Sequence, residues 1–298
     1  MLKTELLGCT MKNPLIGASG TYGFGEEYAP YYDPDIIGGI SSKGLTLNPR
    51  PGNTGIRVHE TPSGIMNSIG LENPGVKHFI EEILPEMRKM DTLILANLGG
   101  HSVEDYLIAA EMLNEADIDM IELNISCPNV ASGGMAFGLH CQDAAAITAK
   151  VKEVSRHKIL VKLSPNGDNP AELAKACEAA GADGISLVNT FQAMAVDVKN
   201  RRAVFDNVYA GLSGPGIFPI ALRMVRDAAR AVKIPVVGMG GIRSAEDVIA
   251  MMMVGAQAVE IGTMNLVDPH IVPKLIADLE TYMEEENIGS LDEIRGII

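Results

Sequence analysis

Two stretches of this chain share one order of features: residues 170–188 read PAELAKACEAAGADGISLV and residues 244–261 read SAEDVIAMMMVGAQAVEI. In each, a helix-forming segment ends at a glycine, Gly181 or Gly255, and a short apolar run that suits a buried strand follows. A helix leading directly into a buried strand is the unit of an α/β fold with a parallel sheet. The pattern therefore predicts that fold class, although no strict sequence repeat accompanies it.

Eight short runs rich in Ile, Val and Leu are predicted to be strands. Near-continuous apolar runs indicate strands that are buried on both faces, and eight of them with helices between favour a (β/α)₈ TIM barrel over an open sheet. A chain of 298 residues with 47% hydrophobic content can form such a barrel, and we expect one domain spanning residues 1–298. The predicted strands are Leu15 to Ala18, Ile37 to Ser42, Leu93 to Asn97, Met120 to Asn124, Ile159 to Leu163, Ile185 to Val188, Val236 to Met239 and Ala258 to Ile261.

Two connections are too long for ordinary loops, at about residues 44–90 and 190–216. Both follow the C-terminal ends of predicted strands, where barrel active sites are built. Their dense Gly, Asn and Pro content favours ordered insertions that cover a substrate over peripheral decoration. A helix from Ser102 to Ala116, with Ser102 as its N-cap, is predicted after the first insertion and the strand that follows it.

The charge balance limits the possible partners. With 24 basic and 38 acidic residues the net charge is -14, which argues against binding to nucleic acid or an anionic membrane, while a small anionic substrate stays possible. No apolar run approaches the roughly 20 residues that span a bilayer. Residues 1–7 lack the apolar core of a signal peptide, so we expect a soluble, cytoplasmic protein.

The four cysteines are far apart, without a Cys-x-x-Cys or paired Cys/His spacing, so no metal site is expected inside this chain. Cys9 and Cys177 are interpreted as small buried hydrophobic residues, and Cys141 has no assigned role. Cys127 differs because it follows a predicted strand on a polar turn. A thiol has an ordinary pKa of about 8.5 and can accept a proton near neutrality if slightly activated, although an inert thiol and a covalent nucleophile are alternatives.

Polar side chains follow the predicted strands where their carboxyl ends would meet. Amide and ammonium groups there predict a donor-rich pocket for a ligand with carbonyl and anionic oxygens. Lys162 lies within an apolar run and no acid is adjacent in sequence, so a bound anion is its expected partner. These side chains are Ser41, Ser42, Lys43, Asn97, Asn124, Lys162, Asn189 and Thr190.

The last two predicted strands end at glycines. Gly240-Gly241 and Gly262-Thr263 would let backbone N–H groups approach a phosphate, which is expected after strands seven and eight of a barrel. A simple tight turn is the alternative at Gly240-Gly241. A phosphate there and amides elsewhere predict a cofactor that reaches across the barrel mouth, and FMN has that length.

A series of short motifs runs along nearly the whole chain: Ala18-Ser19-Gly20, Ser42-Lys43 with Thr46, residues 50–53, residues 67–71, residues 124–129, residues 161–165, Val188-Asn189-Thr190, residues 212–215 and Gly240-Gly241-Ile242. Each motif alone is weak, but their order along the chain is highly specific. In this order they resemble the class 1 dihydroorotate dehydrogenases. The resemblance implies an FMN-binding (β/α)₈ barrel that oxidises (S)-dihydroorotate to orotate in pyrimidine biosynthesis.

The resemblance also implies residue roles. Cys127 would be the catalytic base that removes the C5 proton of dihydroorotate while hydride passes from C6 to flavin N5. Lys43 would lie between flavin and substrate, and Lys162 would stabilise negative charge on the reduced flavin. The expected substrate-binding residues are Lys43, Asn67, Ser68, Ile69, Gly70, Leu71, Asn124, Asn189 and Thr190. The expected FMN-binding residues are Ser19, Lys43, Gly44, Asn97, Asn124, Lys162, Val188, Gly214, Gly240, Gly241, Gly262 and Thr263.

The segment after Cys127 indicates a subclass. The membrane-associated class uses a serine base, and the fumarate-using class has a Pro-Gly-Lys type segment here, whereas residues 132–138 read SGGMAFG, which looks like the NAD-linked class. The resemblance then implies a partner subunit with FAD and a [2Fe–2S] cluster, in a heterotetramer of two of each. Alternatives are the fumarate-dependent enzyme, a related flavin-dependent dihydropyrimidine dehydrogenase, a non-flavin phosphate-binding barrel and a non-catalytic scaffold subunit.

Overall fold

Each of the eight predicted apolar runs overlaps a strand of the computed structural model, which describes residues 1–126 and 137–298. Cys127 and most of the segment after it therefore lie outside the described residues. The strands are β1 Thr4–Leu6, β2 Cys9–Met11, β3 Leu15–Gly17, β4 Gly39–Ser41, β5 Val58–Thr61, β6 Gly64–Asn67, β7 Leu93–Leu98, β8 Met120–Asn124, β9 Lys158–Lys162, β10 Gly184–Leu187, β11 Phe191–Met194, β12 Val196–Asp197, β13 Arg202–Ala203, β14 Tyr209–Ser213, β15 Val236–Met239 and β16 Ala258–Ile261.

Eight parallel strands close into a barrel in the order β3-β4-β7-β8-β9-β10-β15-β16. Every neighbouring pair is parallel, including β16 with β3, which closes the ring. The residues of these strands are largely buried because helices cover their outer faces. This confirms the predicted (β/α)₈ TIM barrel.

Helices connect the barrel strands, and several begin at side-chain caps. Ser102, Asn169 and Ser244 each accept a hydrogen bond from a backbone N–H in the first turn of the helix that follows, as predicted for Ser102. None of the helices in the described ranges is long and apolar enough to cross a membrane. The α-helices are α1 Val76–His78, α2 Leu84–Met87, α3 Val103–Leu113, α4 Cys141–Val154, α5 Pro170–Ala179, α6 Phe218–Ala231, α7 Ala245–Met253, α8 Thr263–Val267 and α9 Ile271–Glu285, with a π-helical stretch at Phe79–Ile83 and 3₁₀ turns at Glu26–Tyr28, Pro34–Ile36, Pro215–Ile217 and Leu291–Glu293.

The antiparallel hairpin β1–β2 covers the amino-terminal end of the barrel. Its Leu6 and Met11 are buried, and they form one apolar cluster with residues from the barrel strands. Because Met120 and Ala258 are the first residues of β8 and β16, this cluster lies at the end of the barrel opposite the mouth. The strand members of this cluster are Ile16, Leu95, Met120, Leu160, Val237 and Ala258.

Both long insertions contribute to one four-stranded antiparallel sheet, in the order β11-β14-β6-β5. Strands β5 and β6 come from the insertion after β4, and β11 and β14 come from the one after β10. Residues of all four strands line the cavity at the barrel mouth, among them Val58, Ile65, Gln192 and Tyr209. The prediction that the insertions are ordered and cover the site is therefore confirmed.

Two cysteine predictions can be compared with the structure. Cys177 is fully buried on α5, and burial raises the pKa of its thiol to about 12, as expected for a packed hydrophobic residue. Cys9 is only half-buried, because it packs at the edge of the apolar cluster beneath the barrel. For Cys9 the expectation of full burial was wrong.

Candidate active site

The interior of the barrel has an apolar layer and, above it, a polar layer. Side chains two residues apart on a strand point to the same side of the sheet. If one residue of a strand belongs to the apolar cluster at the amino-terminal end of the barrel, the side chain two positions later also points into the barrel. In three strands the later residue has an ionisable side chain. These successive interior positions are Met120 and Glu122 on β8, Leu160 and Lys162 on β9, and Ala258 and Glu260 on β16.

Lys162 connects two buried carboxylates across the barrel. Its Nζ lies 3.2 Å from Glu122 Oε2 and 3.0 Å from Glu260 Oε2, and all three side chains are almost completely shielded from solvent. The expectation that a bound anion is the partner of Lys162 was therefore wrong, since protein carboxylates already occupy that role. The two acids come from strands distant in sequence, 40 and 98 residues away, which is why no adjacent acid was visible.

The two glutamates have different hydrogen-bonding environments. Glu122 accepts hydrogen bonds from Ser41 Oγ at 2.6 Å, Asn97 Nδ2 at 2.5 Å and Ser186 Oγ at 2.7 Å, in addition to Lys162. Glu260 receives the Lys162 ammonium at Oε2, and its buried Oε1 receives no hydrogen bond from a protein donor. The two carboxyls are also close enough to hydrogen-bond with each other when Glu260 is protonated. Because a carboxylate needs donors when it is removed from water, Glu122 is equipped to hold a negative charge and Glu260 is not.

These environments push the two acid pKa values apart. Burial opposes ionisation of Glu122, but the Lys162 charge, the hydrogen bond with the Glu260 carboxyl and the hydroxyl donors lower its pKa to about 2. Burial and the neighbouring Glu122 charge raise the pKa of Glu260 well above its ordinary value. Burial alone would lower the pKa of Lys162, but the two carboxylates raise it, so the lysine is a cation. The chain therefore holds one ion pair and one weak acid beneath the barrel mouth.

A cavity of about 320 Å³ opens above this layer at the carboxyl ends of the strands. Ligand sites of this kind commonly start near 300 Å³. Lys162 and Glu260 form part of its wall, whereas Glu122 lies beneath. Sixteen of the residues predicted for substrate or cofactor line it: Ser19, Lys43, Gly44, Asn67, Ile69, Gly70, Leu71, Asn124, Lys162, Val188, Asn189, Thr190, Gly240, Gly241, Gly262 and Thr263.

Three predicted residues do not line the cavity. The Asn97 side chain is fully buried, where it donates to Glu122 and accepts from Asn124 Nδ2 at 3.2 Å. Ser68 is also buried, and its hydroxyl accepts from the Asn53 side chain at 3.1 Å. Gly214 lies beneath the wall, where an added Cβ would approach Gly64 Cα to 2.5 Å. These three residues support the site from behind, and their direct contact with a ligand stays a prediction.

An amide and hydroxyl network surrounds the chain just before Cys127. Ser126 donates through its hydroxyl to Asn124 Oδ1 at 2.7 Å and accepts a hydrogen bond from Asn189 Nδ2. The backbone carbonyl of Asn124 accepts from the Tyr106 hydroxyl at 2.8 Å, which fixes the end of β8. Two predicted substrate residues are thus linked through Ser126, the residue that precedes Cys127.

The glycines after β15 and β16 have the backbone that a phosphate cradle requires. Gly240 and Gly241 adopt φ of 120° and 78°, a left-handed region that favours glycine, and an added Cβ at Gly241 would approach Gly214 O to 2.8 Å. At Gly262 an added Cβ would meet nothing closer than 3.8 Å, so its backbone borders open space. Together with the unpartnered oxygen of Glu260, these residues fit a cofactor with a phosphate and a polar ring system.

The fold and the cavity define a ligand-binding α/β-barrel enzyme whose mouth combines ammonium, amide and glycine backbone groups. A family model described as dihydroorotate dehydrogenase matches residues 1–283, so the chain belongs to the dihydroorotate dehydrogenase family. This confirms the family predicted from the sequence. The family is FMN-dependent, in agreement with the fit of the cavity.

Similar proteins match almost from end to end. The chain is 50% identical over 296 residues to a protein of Petrotoga mobilis, with 99% of each chain covered, and 49% identical over 295 residues to one of Thermoanaerobacter pseudethanolicus, covering 99% of this chain and 98% of the relative. It is 48% identical over 296 residues to one of Geobacillus sp., covering 99% and 95%. All three relatives are named dihydroorotate dehydrogenase B (NAD(+)), catalytic subunit.

Proposed function

We propose that this chain is the FMN-bearing catalytic subunit of an NAD-linked dihydroorotate dehydrogenase, which oxidises (S)-dihydroorotate to orotate in pyrimidine biosynthesis. The observation that carries the proposal is the convergence of sixteen predicted substrate and cofactor residues on one cavity at the barrel mouth. The family match and the full-length relatives named as NAD(+) enzymes support the same reaction and the same electron acceptor.

Orotate and dihydroorotate carry a carboxylate and ring amides, which need both hydrogen-bond donors and acceptors. Lys43, Asn67, Asn189 and Thr190 provide them from the cavity wall. Asn189 is held in place because its Oδ1 accepts from the Thr190 N–H at 2.7 Å while its Nδ2 donates to Ser126. Amide groups fixed in this way hold the substrate ring in one orientation.

Cys127 is the base in this proposal, and it takes the C5 proton of dihydroorotate. It follows Ser126 in the sequence, and Ser126 is hydrogen-bonded to Asn124 and Asn189, two of the residues expected to bind the substrate. A thiol with an ordinary pKa of about 8.5 needs only modest activation to act at neutral pH.

FMN, when bound, supplies the acceptor for the hydride that leaves C6. The backbone at Gly240, Gly241, Gly262 and Thr263 would hold its phosphate, and the Lys162 ammonium would hold the ring and offset negative charge there. Lys162 can do this because Glu122 keeps it charged and in place. The electrons then leave through a partner subunit with FAD and a [2Fe–2S] cluster, in a cytoplasmic heterotetramer of two of each.

The role of Cys127 is tested by rapid-mixing measurement of flavin reduction by dihydroorotate without oxygen. Removing a general base typically costs about 10²- to 10⁴-fold in rate, so we expect a loss of that size for Cys127→Ala. Cys127→Ser should also be slow but recover as pH rises. Cys9→Ala is the matched control, because Cys9 lies at the opposite end of the barrel. Near wild-type reduction in Cys127→Ala would refute the assignment.

The partner is tested by comparing electron acceptors. The purified chain should be yellow and should reduce dyes with dihydroorotate, but it should not reduce NAD until a copurifying FAD and [2Fe–2S] subunit is added. Efficient NAD reduction by the chain alone would contradict the partner proposal. A colourless protein that takes up no FMN would contradict the flavin proposal itself.

A further inference from the structure

Glu260 is a buried acid of the cavity wall for which the reaction outlined above gives no use. Its side chain is 1% exposed on β16, and one oxygen contacts Lys162 while the other receives no hydrogen bond from a protein donor. The carboxyl also lies close enough to that of Glu122 to hydrogen-bond with it when one of the two is protonated. In the described part of the chain, the other buried side-chain atoms without a partner are Thr61 Oγ1 and Asn265 Oδ1, and neither residue lines the cavity. Buried polar atoms are rarely left unsatisfied, so an unpartnered oxygen at a ligand cavity indicates a contact with the ligand.

The charges around Glu260 decide its protonation state. Glu122 on β8 and Lys162 on β9 are the charged groups that act on it, and the flanking strands β3 and β15 carry no ionisable side chain. If both glutamates were ionised, this buried layer would hold two negative charges against one positive charge. Glu122 has four donors and Glu260 has one, so the single proton resides on Glu260. The cluster of Glu122, Lys162 and Glu260 is then neutral.

We propose that Glu260 carries a proton at neutral pH and uses this neutral carboxyl as a further hydrogen-bonding group for the FMN of the cavity. The inference rests on the proposed function for the identity of the ligand. The protonated carboxyl can donate its O–H to the neighbouring Glu122 carboxylate while its oxygens accept from Lys162 and from a ligand donor. It adds no negative charge next to a cofactor that gains negative charge on reduction. Glu260 therefore contributes to cofactor binding and keeps the charge of the cluster at zero.

The protonation state is read directly from infrared spectra, without catalysis. A protonated carboxylic acid has a carbonyl stretch that is distinct from that of a carboxylate, and we expect this band at neutral pH in the wild-type protein. The band should be missing in Glu260→Gln and retained in Glu284→Gln, a control with the same substitution at an exposed position of α9. A wild-type spectrum without the band would overturn the proposal, whether or not the variant folds.

The contact with FMN is measured by titrating cofactor-free protein with FMN and following its fluorescence. Loss of one neutral hydrogen bond typically weakens binding by about 3- to 10-fold, so Glu260→Ala should show that loss. Glu260→Gln should bind within about 3-fold of wild type, because an uncharged amide preserves the hydrogen-bonding capacity. Unchanged affinity in Glu260→Ala would overturn the contact.

The reduction potential of the bound flavin distinguishes a protonated Glu260 from an ionised one. Replacing a neutral acid with a neutral amide should leave the potential unchanged in Glu260→Gln, whereas replacing a carboxylate would remove a negative charge and raise it. A raised potential would thus refute the protonated state. Failure of this inference is distinguishable from failure of the proposed function, because a yellow, active protein without the infrared band disproves only the former. A protein that binds no FMN disproves the latter.

Discussion

Replacing Glu122 with glutamine tests the electrostatics of the barrel interior most directly. A carboxyl whose pKa is lowered from 4.5 to about 2 in the folded state gains stability at neutral pH, and at 1.36 kcal/mol for each tenfold step this amounts to about 3 kcal/mol. Glu122→Gln removes this contribution and turns an amide N–H₂ toward hydroxyl and amide donors. We therefore expect its free energy of unfolding to fall by about 3 kcal/mol at neutral pH.

The contribution of Glu122 to the free energy of unfolding should depend on pH. Because the folded pKa of Glu122 is depressed, its stabilising contribution is complete above about pH 4.5 and is lost as pH falls toward about 2. Glu260 acts in the opposite direction, since burial and the Glu122 charge raise its pKa and the unfolded chain releases this proton more readily. The stability difference between wild type and Glu122→Gln should therefore be largest at neutral pH and shrink under acid conditions.

The assay is urea unfolding at one fixed free FMN concentration, with the FMN affinity of each variant measured separately because bound ligand adds to apparent stability. Glu285→Gln, at an exposed position of α9, is the matched control and should change stability by no more than about 0.5 kcal/mol. If neither Glu122→Gln nor the double variant with Glu260→Gln lost more than this control, an ionised Glu122 would be refuted. In Glu122→Gln the remaining Glu260 can ionise against Lys162, so the double variant with Glu260→Gln should lose more than the sum of the single losses.

Three further predictions concern parts of the fold away from the cavity. Leu6→Ala should lower the free energy of unfolding by about 2–5 kcal/mol, because Leu6 is fully buried in the cluster that closes the barrel; a loss below about 1 kcal/mol in urea unfolding would contradict this. Ser244→Ala should cost about 1 kcal/mol in the same assay, since Ser244 caps α7, whereas Ser244→Asp should retain most of the stability. Cys177 should resist thiol reagents in the native protein and react only on unfolding, because burial raises its pKa to about 12; modification mapped to Cys177 by mass spectrometry of native protein would count against this.

The fold could be predicted from local patterns because a parallel barrel leaves a strong signal in sequence. Each barrel strand is buried on both faces, so it appears as a short apolar run, and all eight runs correspond to observed strands. The strand ends also predict the site. Polar residues at the carboxyl ends of the apolar runs come together at the mouth once the strands close into a barrel. Lys43, Asn124 and Asn189 line the cavity for this reason.

The charge cluster could not be predicted in the same way, because its members come from β8, β9 and β16. No acid is adjacent to Lys162 in the sequence, so its partners Glu122 and Glu260 do not show in the local pattern. A signal was present, since each glutamate is the single charged residue of its buried strand, two positions after an apolar residue. Matching those positions in the three strands would have predicted a shared interior layer.

Amide side chains were harder to assign than charged ones. Asn97 has the position expected of a ligand contact, at the end of β7, but its amide group is occupied by Glu122 and Asn124. A sequence shows that a buried asparagine needs partners, but not whether those partners belong to the protein or to a ligand. The same holds for Ser68, whose hydroxyl accepts a hydrogen bond from the Asn53 side chain.

The order of layers in the barrel explains how a buried ion pair can serve a ligand site. Leu6 and Met11 pack in the apolar cluster at the amino-terminal end, whereas the charged layer borders the cavity at the mouth. A ligand that fills the mouth displaces water from the cavity. The Lys162 charge then acts more strongly on the ring of the ligand, because charges interact more strongly in a low-dielectric medium. The same exclusion makes an extra negative charge at Glu260 most costly when the site is occupied. Cofactor binding and protonation of Glu260 should therefore favour one another.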